Sequence, residues 1–218
     1  MVTNINNRNR QPKGTSKGGQ FAPETHTVAP NDLDGASNNT PPSVAKYYDN
    51  GNPKREEWRD KDGNLDRADG QHHRTDGPAT IDYREDGTVY REIWRKNGKW
   101  CRENGPATID YYENGTIKSE LWCKNEKRHR DDRPAYITYF QNGTTKTQSW
   151  WKDGQPHRDD GPAATNYRRD GTLESEEWWQ DGHLHRVDGP AIVHYRQNGT
   201  IVSEQWFQDG KEITPPAK

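Results

Sequence analysis

Between His73 and Glu212 one 28-residue pattern recurs five times without a gap. Segments starting at His73, Cys101, His129, His157 and His185 align as H-R-x-D-G-P-A-x-I-x-Y-x-x-D/N-G-T-x-x-x-E-x-W-x-x-D/N-G-x-x. Pro78, Pro106, Pro134, Pro162 and Pro190 fall in register, and so do Trp94, Trp122, Trp150, Trp178 and Trp206. A fixed period of this length marks a repeat architecture, in which each unit buries its apolar surface against its neighbours. A divergent partial unit precedes the five: Tyr47, Asn50-Gly51, Glu56, Trp58 and Asp62-Gly63, then Asp66-Arg67-Ala68-Asp69-Gly70. One extra residue separates its Trp from its second turn, and such divergence suits a terminal capping unit. The chain therefore divides into an arm over 1–44, the divergent cap over 45–72, the five repeats over 73–212 and a tail over 213–218.

Each unit reads as a pair of short strands. In the first, Ala79, Ile81 and Tyr83 alternate onto one face, Asp86-Gly87 is a two-residue hairpin signal, and Thr88 to Lys96 is the return strand. Counting outward from that turn sets Tyr83 against Tyr90, Ile81 against Glu92 and Ala79 against Trp94, a large ring over a small residue. Asn97-Gly98 is a second such turn leading into the next unit. The expected fold is all-β: an elongated, repetitive antiparallel β-meander with no helix over 73–212. Across the second turn each Trp opposes the first residue of the following unit, so Trp122, Trp150 and Trp178 are expected to pack on His129, His157 and His185. The H-R-x-D-G-P-A link carries a proline that removes a donor and fixes φ, which interrupts the ladder. Its Arg and Asp recur together, as Arg158 with Asp160 and Arg186 with Asp188, and are expected to pair with each other, with loop carbonyls or with the adjacent unit.

Composition supports a thin structure. Only 27% of residues are hydrophobic and 30% are charged, a balance that alone would point to disorder. Nine Trp and ten Tyr change that reading, because these rings bury large area while keeping a polar handle at a wet edge. The net charge of −2 gives no sign of a nucleic-acid or anionic-membrane partner. Cys101 and Cys123 fit no metal-binding spacing and read as reduced thiols in repeat-variant positions. No apolar run has transmembrane length and the N-terminus lacks a secretory apolar core, so the expected location is cytoplasmic.

Residues 1–44 are rich in Asn, Pro, Gly, Ser and Thr, with no Trp or Tyr and a single Phe21. Too little apolar surface is present to offset chain entropy, and disorder is expected. The arm contains Arg10-Gln11-Pro12-Lys13-Gly14-Thr15-Ser16-Lys17-Gly18-Gly19-Gln20-Phe21. This resembles an Arg-x-Pro-x-Gly-x-x-x-Gly-Gly-Gln-Phe motif carried by otherwise unrelated proteins of actinobacteria and their phages, with Gly14, Gly18, Gly19, Gln20 and Phe21 on its fixed positions. The resemblance implies such a source and a shared targeting or docking role. The repeat itself resembles the MORN-like repeat proteins of phages, giant viruses and bacteria, some of which are labelled antitoxins. That resemblance spans about 165 residues and implies an elongated single-layer sheet with a scaffolding or binding role. The 28-residue unit is longer than the usual MORN unit and lacks its repeated Gly-x-Tyr-x-Gly start.

The residues that could carry chemistry mostly have structural explanations. Successive repeat histidines lie one unit apart, and neither His72-His73 nor the His183/His185 pair has a third ligand near in sequence, so no metal and no cofactor are expected. Asp-Gly and Asn-Gly have a sufficient cause in hairpin geometry without calcium. Asn114, Asn142 and Asn198 match the glycosylation sequon only because they are those turns. A chain offering the same groups five times lacks the single asymmetric constellation of a catalytic centre, so no enzyme is expected. The doubled aromatics are different. Adjacent strand residues face opposite ways, so Trp151, Trp179 and Phe207, together with Tyr112 of Tyr111-Tyr112, form a candidate aromatic row on the second face. The function expected from these features is a non-enzymatic module that binds a protein, by sequestration in an antitoxin-like case. A structural or virion scaffold assembling through sheet edges or the arm, and a lipid- or glycan-binding surface, are the alternatives.

Overall fold

The computed structural model describes residues 41–59, 77–96, 99–100, 102 and 104–215. The Gly14–Phe21 motif, the expected disorder of the arm, His73, Cys101 and the second turn of the partial unit lie outside the described residues. Within them the protein is all-β, and no helix is long and apolar enough to cross a membrane.

Twelve strands form one antiparallel meander in sequence order. They are Val44–Tyr47 (β1), Pro53–Glu57 (β2), Thr80–Tyr83 (β3), Val89–Ile93 (β4), Thr108–Tyr111 (β5), Ile117–Leu121 (β6), Tyr136–Tyr139 (β7), Thr145–Ser149 (β8), Ala164–Tyr167 (β9), Leu173–Glu177 (β10), Ile192–Tyr195 (β11) and Ile201–Gln205 (β12). Each unit thus contributes one hairpin, and the partial unit contributes β1 and β2.

The first turn is wider than the sequence suggested. Gly87 N–H donates to Arg84 O at 2.9 Å and Arg84 N–H donates to Thr88 O at 2.8 Å, which encloses Glu85, Asp86 and Gly87 in a three-residue loop. Only Gly87, at φ +86°, is left-handed there, the geometry of a type I turn followed by a glycine bulge. The bulge shifts the register, so Tyr83 pairs with Val89 instead of Tyr90, while Ile81 faces Glu92 as counted. Asp86 Oδ1 accepts both the N–H and the hydroxyl of Thr88, at 2.8 and 2.6 Å. Asn114, Asn142, Asp170 and Asn198 hold Thr116, Thr144, Thr172 and Thr200 in the same way. Only a side-chain oxygen is needed, which explains why Asp and Asn interchange and why Thr follows Gly. The hydroxyl of Thr172, followed by its backbone N–H, pulls the Asp170 pKa down to about 2.

The return strand does not run to Lys96. It breaks at Trp94, whose N–H donates to Ala107 O of the next unit, while Ala79 N–H turns to Ile93 O. The paired ladder ends at Thr80–Ile93, so Ala79 has no backbone partner in Trp94 of its own unit. Beyond the Trp the chain enters a separate two-stranded ribbon: Arg95–Lys96 with Lys99–Trp100, Cys123–Lys124 with Lys127–Arg128, Trp151–Lys152 with Gln155–Pro156, Trp179–Gln180 with His183–Leu184, and Phe207–Gln208 with Lys211–Glu212. These ribbons close through the expected two-residue turns, with both residues left-handed at Asp153-Gly154, Asp181-Gly182 and Asp209-Gly210. Successive ribbons join: Gly154, Gly182 and Gly210 donate their N–H groups to Arg128 O, Pro156 O and Leu184 O. The single layer implied by the family resemblance is therefore accompanied by a second row of hairpins.

One turn breaks the glycine rule. Asn125-Glu126 occupies the same ribbon position with Glu126 at φ +62°, where a Cβ is disfavoured. Glu126→Gly is expected to raise stability by about 1 kcal/mol, read as a higher urea midpoint with an unchanged denaturant slope.

The buried residues are few and specialised. Ala79, Ala107, Ala135 and Ala191 have no exposed surface, where the backbones of adjacent units meet. Across the sheet Ile81, Ile109 and Val193 alternate with Glu56, Glu92, Glu120 and Glu176 in one register column. Those carboxylates are held by the tyrosine of the following unit: Tyr111 donates to Glu92 at 2.9 Å, Tyr139 to Glu120 at 2.8 Å and Tyr195 to Glu176 at 2.8 Å. Tyr83 does the same for Glu56.

Candidate interaction surface

The Trp and the H-R-x-D-G-P link build one clasp per unit. The guanidinium of Arg102 lies 4.2 Å from the Trp94 ring centroid, that of Arg130 3.6 Å from Trp122, Arg158 4.2 Å from Trp150 and Arg186 3.9 Å from Trp178. A cation over an indole face is favoured by the ring quadrupole. The stack is held from behind: Arg158 Nε donates to Asp160 at 3.0 Å and Nη1 to Pro162 O at 3.4 Å, and Arg186 donates to Asp188 at 3.2 Å and to Pro190 O at 3.2 Å. The glycine of the motif leaves room for the guanidinium, since a Cβ at Gly161 would sit 2.8 Å from Arg158 Cζ and one at Gly189 2.7 Å from Arg186 Cζ.

The histidines oppose the tryptophans as expected, with His129, His157 and His185 N–H donating to Trp122, Trp150 and Trp178 O at 3.3, 3.1 and 2.9 Å, and the Arg stack is an addition to that pairing. Each His ring ties the start of its unit to the ribbon turn that ends it. Nδ1 of His129, His157 and His185 accepts the N–H of Asp153, Asp181 and Asp209 at 3.1, 3.1 and 3.2 Å, at the turn of the next ribbon. The same Nδ1 atoms lie 3.2, 2.9 and 2.8 Å from the carboxylates of Asp153, Asp181 and Asp209, and Nε2 is the other polar edge of each ring. That edge faces Asp131 at 2.7 Å in His129 and Asp159 at 3.1 Å in His157. The hydrogen bond from His129, with the charge of Lys124 second, holds the Asp131 carboxyl below its usual pKa.

The consequence is a line of fixed, open carboxylates. Asp131, Asp153, Asp159 and Asp181 have side chains 70 to 77% exposed, and Asp188 and Asp209 reach 86%. All six lie on the loops and ribbon turns that the clasps organise, so acidic groups recur from unit to unit along the described repeats.

Three residues of the candidate aromatic row recur at one ribbon position, and the fourth lies elsewhere. Trp151, Trp179 and Phe207 sit in the ribbons, half-buried, opposite Pro156, Leu184 and Glu212. The Arg128 guanidinium of the preceding ribbon covers Trp151 at 4.8 Å, and Trp179 Nε1 donates to Glu177 at 2.9 Å. Tyr112 stands apart from them at a sheet hairpin turn, where its hydroxyl donates to Tyr139 O of the next unit at 2.8 Å. Tyr48, Arg84 and Arg168 occupy the same position and reach Tyr83 O, Tyr111 O and Tyr195 O. The break after each Trp swings the following residue into a ribbon, which simple strand alternation could not foresee. Among the described residues no group of three His, Cys, Asp or Glu side chains could hold a metal ion. Cys123 is a buried thiol whose Sγ lies 2.8 Å from Trp100 O.

No protein-family model matches the chain, and no curated protein matches it significantly.

Proposed function

We propose that the repeats form a non-enzymatic protein-binding module whose recognition surface is the line of carboxylates carried by the His and Arg clasps. The observation behind this reading is their repetition: the ribbon-turn acids Asp153, Asp181 and Asp209 return every 28 residues, at 72% exposure or more. Charges held in place by a folded scaffold lose little side-chain freedom on binding and speed the encounter with a partner of opposite sign. The partner that fits is a protein with a basic surface long enough to span several units. The half-buried aromatics stiffen the scaffold behind this surface. The MORN-like resemblance, with its antitoxin relatives, suggests sequestration of a toxin or defence protein as the biological form.

The test is affinity capture from host lysate with the full chain as bait. A second bait carries Asp131→Asn, Asp153→Asn, Asp159→Asn, Asp181→Asn, Asp188→Asn and Asp209→Asn. The expected result is one basic protein retained by the first bait at low salt, released as salt rises, and absent from the second. Equal retention by both baits would move recognition away from these carboxylates.

A further inference from the structure

We infer that the sheet continues from one molecule to the next, with β12 of one copy pairing antiparallel with β1 of a second. The two strands are the open edges of the sheet. β12 is exposed at every residue, including Ile201 at 47% and Val202 at 55%. An open strand with apolar side chains and no Pro or Lys is a template for further pairing.

What selects a second copy as the occupant is the repeat's own bonding pattern. Three contacts recur between a unit and its successor, all three at each junction except the one after Phe140 and Gln148, which keeps the first. The Trp N–H donates to the next Ala carbonyl, as Trp150 to Ala163 at 2.6 Å and Trp178 to Ala191 at 2.7 Å. The sheet Glu accepts the next Tyr hydroxyl, as Glu176 accepts Tyr195 at 2.8 Å. The residue opening the hairpin turn reaches the next Tyr carbonyl, as Arg168 reaches Tyr195 O. At the C-terminal end Trp206 N–H, Glu204 and Arg196 Nη2 are the corresponding groups, and none has its partner among the described residues.

The N-terminal edge supplies the missing halves. β1 pairs with β2 through the same register as β3 with β4, and the bulge falls at Lys46/Tyr47 as it does at Asp82/Tyr83. Val44-Ala45-Lys46-Tyr47 therefore stands for Thr80-Ile81-Asp82-Tyr83, with Ser43 at the Ala79 position and Pro42 at the Pro78 position. Tyr47 is 63% exposed and has no predecessor unit to accept its hydroxyl. Placed as the next unit, the second copy offers Ser43 O to Trp206 N–H, the Tyr47 hydroxyl to Glu204, and Tyr47 O to Arg196. The other facing pairs, Ser203 with Lys46 and Gln205 with Val44, bring no like charges together. An even number of strands makes β12 and β1 antiparallel, so simple continuation of the meander satisfies the geometry. The guanidinium lid is not reproduced, because the residue five before Ser43 is Asn38, nor is the His ring link, because Ile213 takes the His position. The contact is heterologous, so successive additions give an open-ended chain.

Proline tests it at edge positions. Trp178 N–H points to the next unit, so by alternation Glu176, and likewise Glu204, aims its N–H outward. Tyr48 N–H points to its own hairpin, so Ala45, three residues before, aims outward too. Glu204→Pro and Ala45→Pro each remove an outward donor and spare the inner ladder. Sedimentation velocity of the full chain is expected to show mass rising with concentration past a dimer. Each proline variant alone should remain monomeric with an unchanged circular dichroism spectrum, and their mixture should form a one-to-one dimer and nothing larger. Tyr47→Phe, which leaves the edge intact, should weaken assembly about tenfold. A wild-type chain that stays monomeric at every concentration would overturn the proposal, including by its own N-terminal arm occupying an edge. Self-association of either proline variant alone would also overturn it, since that requires another interface.

Discussion

Ala163→Leu is expected to cost about 3 kcal/mol or more and to split the unfolding transition in two. Ala163 is 1% exposed, and its carbonyl receives the Trp150 N–H at 2.6 Å. Three added carbons have no space there, and the strand ends must separate to admit them. In a protein with one closed core, such a lesion lowers the stability of the whole. In a linear array each unit couples only to its neighbours, so a broken interface isolates the hairpins on either side. The expected denaturation curve of Ala163→Leu therefore has two phases, one for the units before Trp150 and one for those after. Ala191→Leu, one unit from the C-terminal edge, should produce the same local strain but release a single terminal hairpin, with a smaller early phase. Tryptophan fluorescence and circular dichroism followed together in urea distinguish the cases. A single coincident transition at lower urea for Ala163→Leu would show that the sheet unfolds as one cooperative body.

The period, the meander and the role of the dipeptide turns were legible in the amino-acid sequence because each has a local cause. Glycine at fixed spacing marks left-handed backbone, and the one-to-one repetition of Pro and Trp sets the unit length. Ile81 against Glu92 follows from counting residues outward from a turn, and survives the bulge because both lie beyond it. What was not legible depends on where the chain goes after Trp94. Strand alternation assumes a continuous strand; once the chain leaves the sheet, the residue after each Trp belongs to a different element, so Trp151, Trp179 and Phe207 recur in the ribbons while Tyr112 stays at a sheet turn. The His of the link was read against the Trp, while the Arg was read only as a partner for its Asp, for loop carbonyls or for the adjacent unit. A sharper reading was available from the adjoining glycine, since a residue without Cβ beside a long cation is a place where the cation lies flat. The Tyr–Glu pairs were likewise visible as two fixed positions 19 residues apart, but their contact is made between units, and only the register reveals it.

Those pairs set the largest expected response to solution conditions, a loss of stability in alkali. Burial raises the Tyr111 hydroxyl well above its ordinary range, and the neighbouring Glu92 carboxylate raises it further. Burial is also the main cause for Tyr167, and for Tyr195 with Glu176 adding to it. In the unfolded chain all three ionise near pH 10. A group whose folded pKa lies above its unfolded value contributes stability that is complete below the unfolded pKa. That contribution falls as pH rises from there through the folded pKa, because the unfolded chain then holds fewer protons. Each fully shielded tyrosine removes about 1.4 kcal/mol per pH unit in that window. Tyr195 is more open to solvent and contributes a screened share. Together they imply a loss of about 3 kcal/mol for each unit above about pH 10, enough to consume an ordinary domain's margin within a few units. Urea midpoints should be flat from about pH 8 to 10 and then drop steeply, with the share of tyrosinate absorbance owed to Tyr111 and Tyr167 appearing only as the fold is lost. Tyr167 differs from the other two in having no glutamate bonded to its hydroxyl. Gln148 stands in the glutamate's place opposite Thr165, Thr165 bonds the hydroxyl, and the Glu176 charge adds only a smaller share to the burial. Tyr167→Phe should therefore flatten the alkaline slope by about one buried group's share while leaving neutral stability nearly unchanged. Tyr111→Phe should flatten it similarly but also cost about 2 kcal/mol at neutral pH, because Glu92 loses its donor. If the alkaline slope survives both substitutions, the buried tyrosines are not its source.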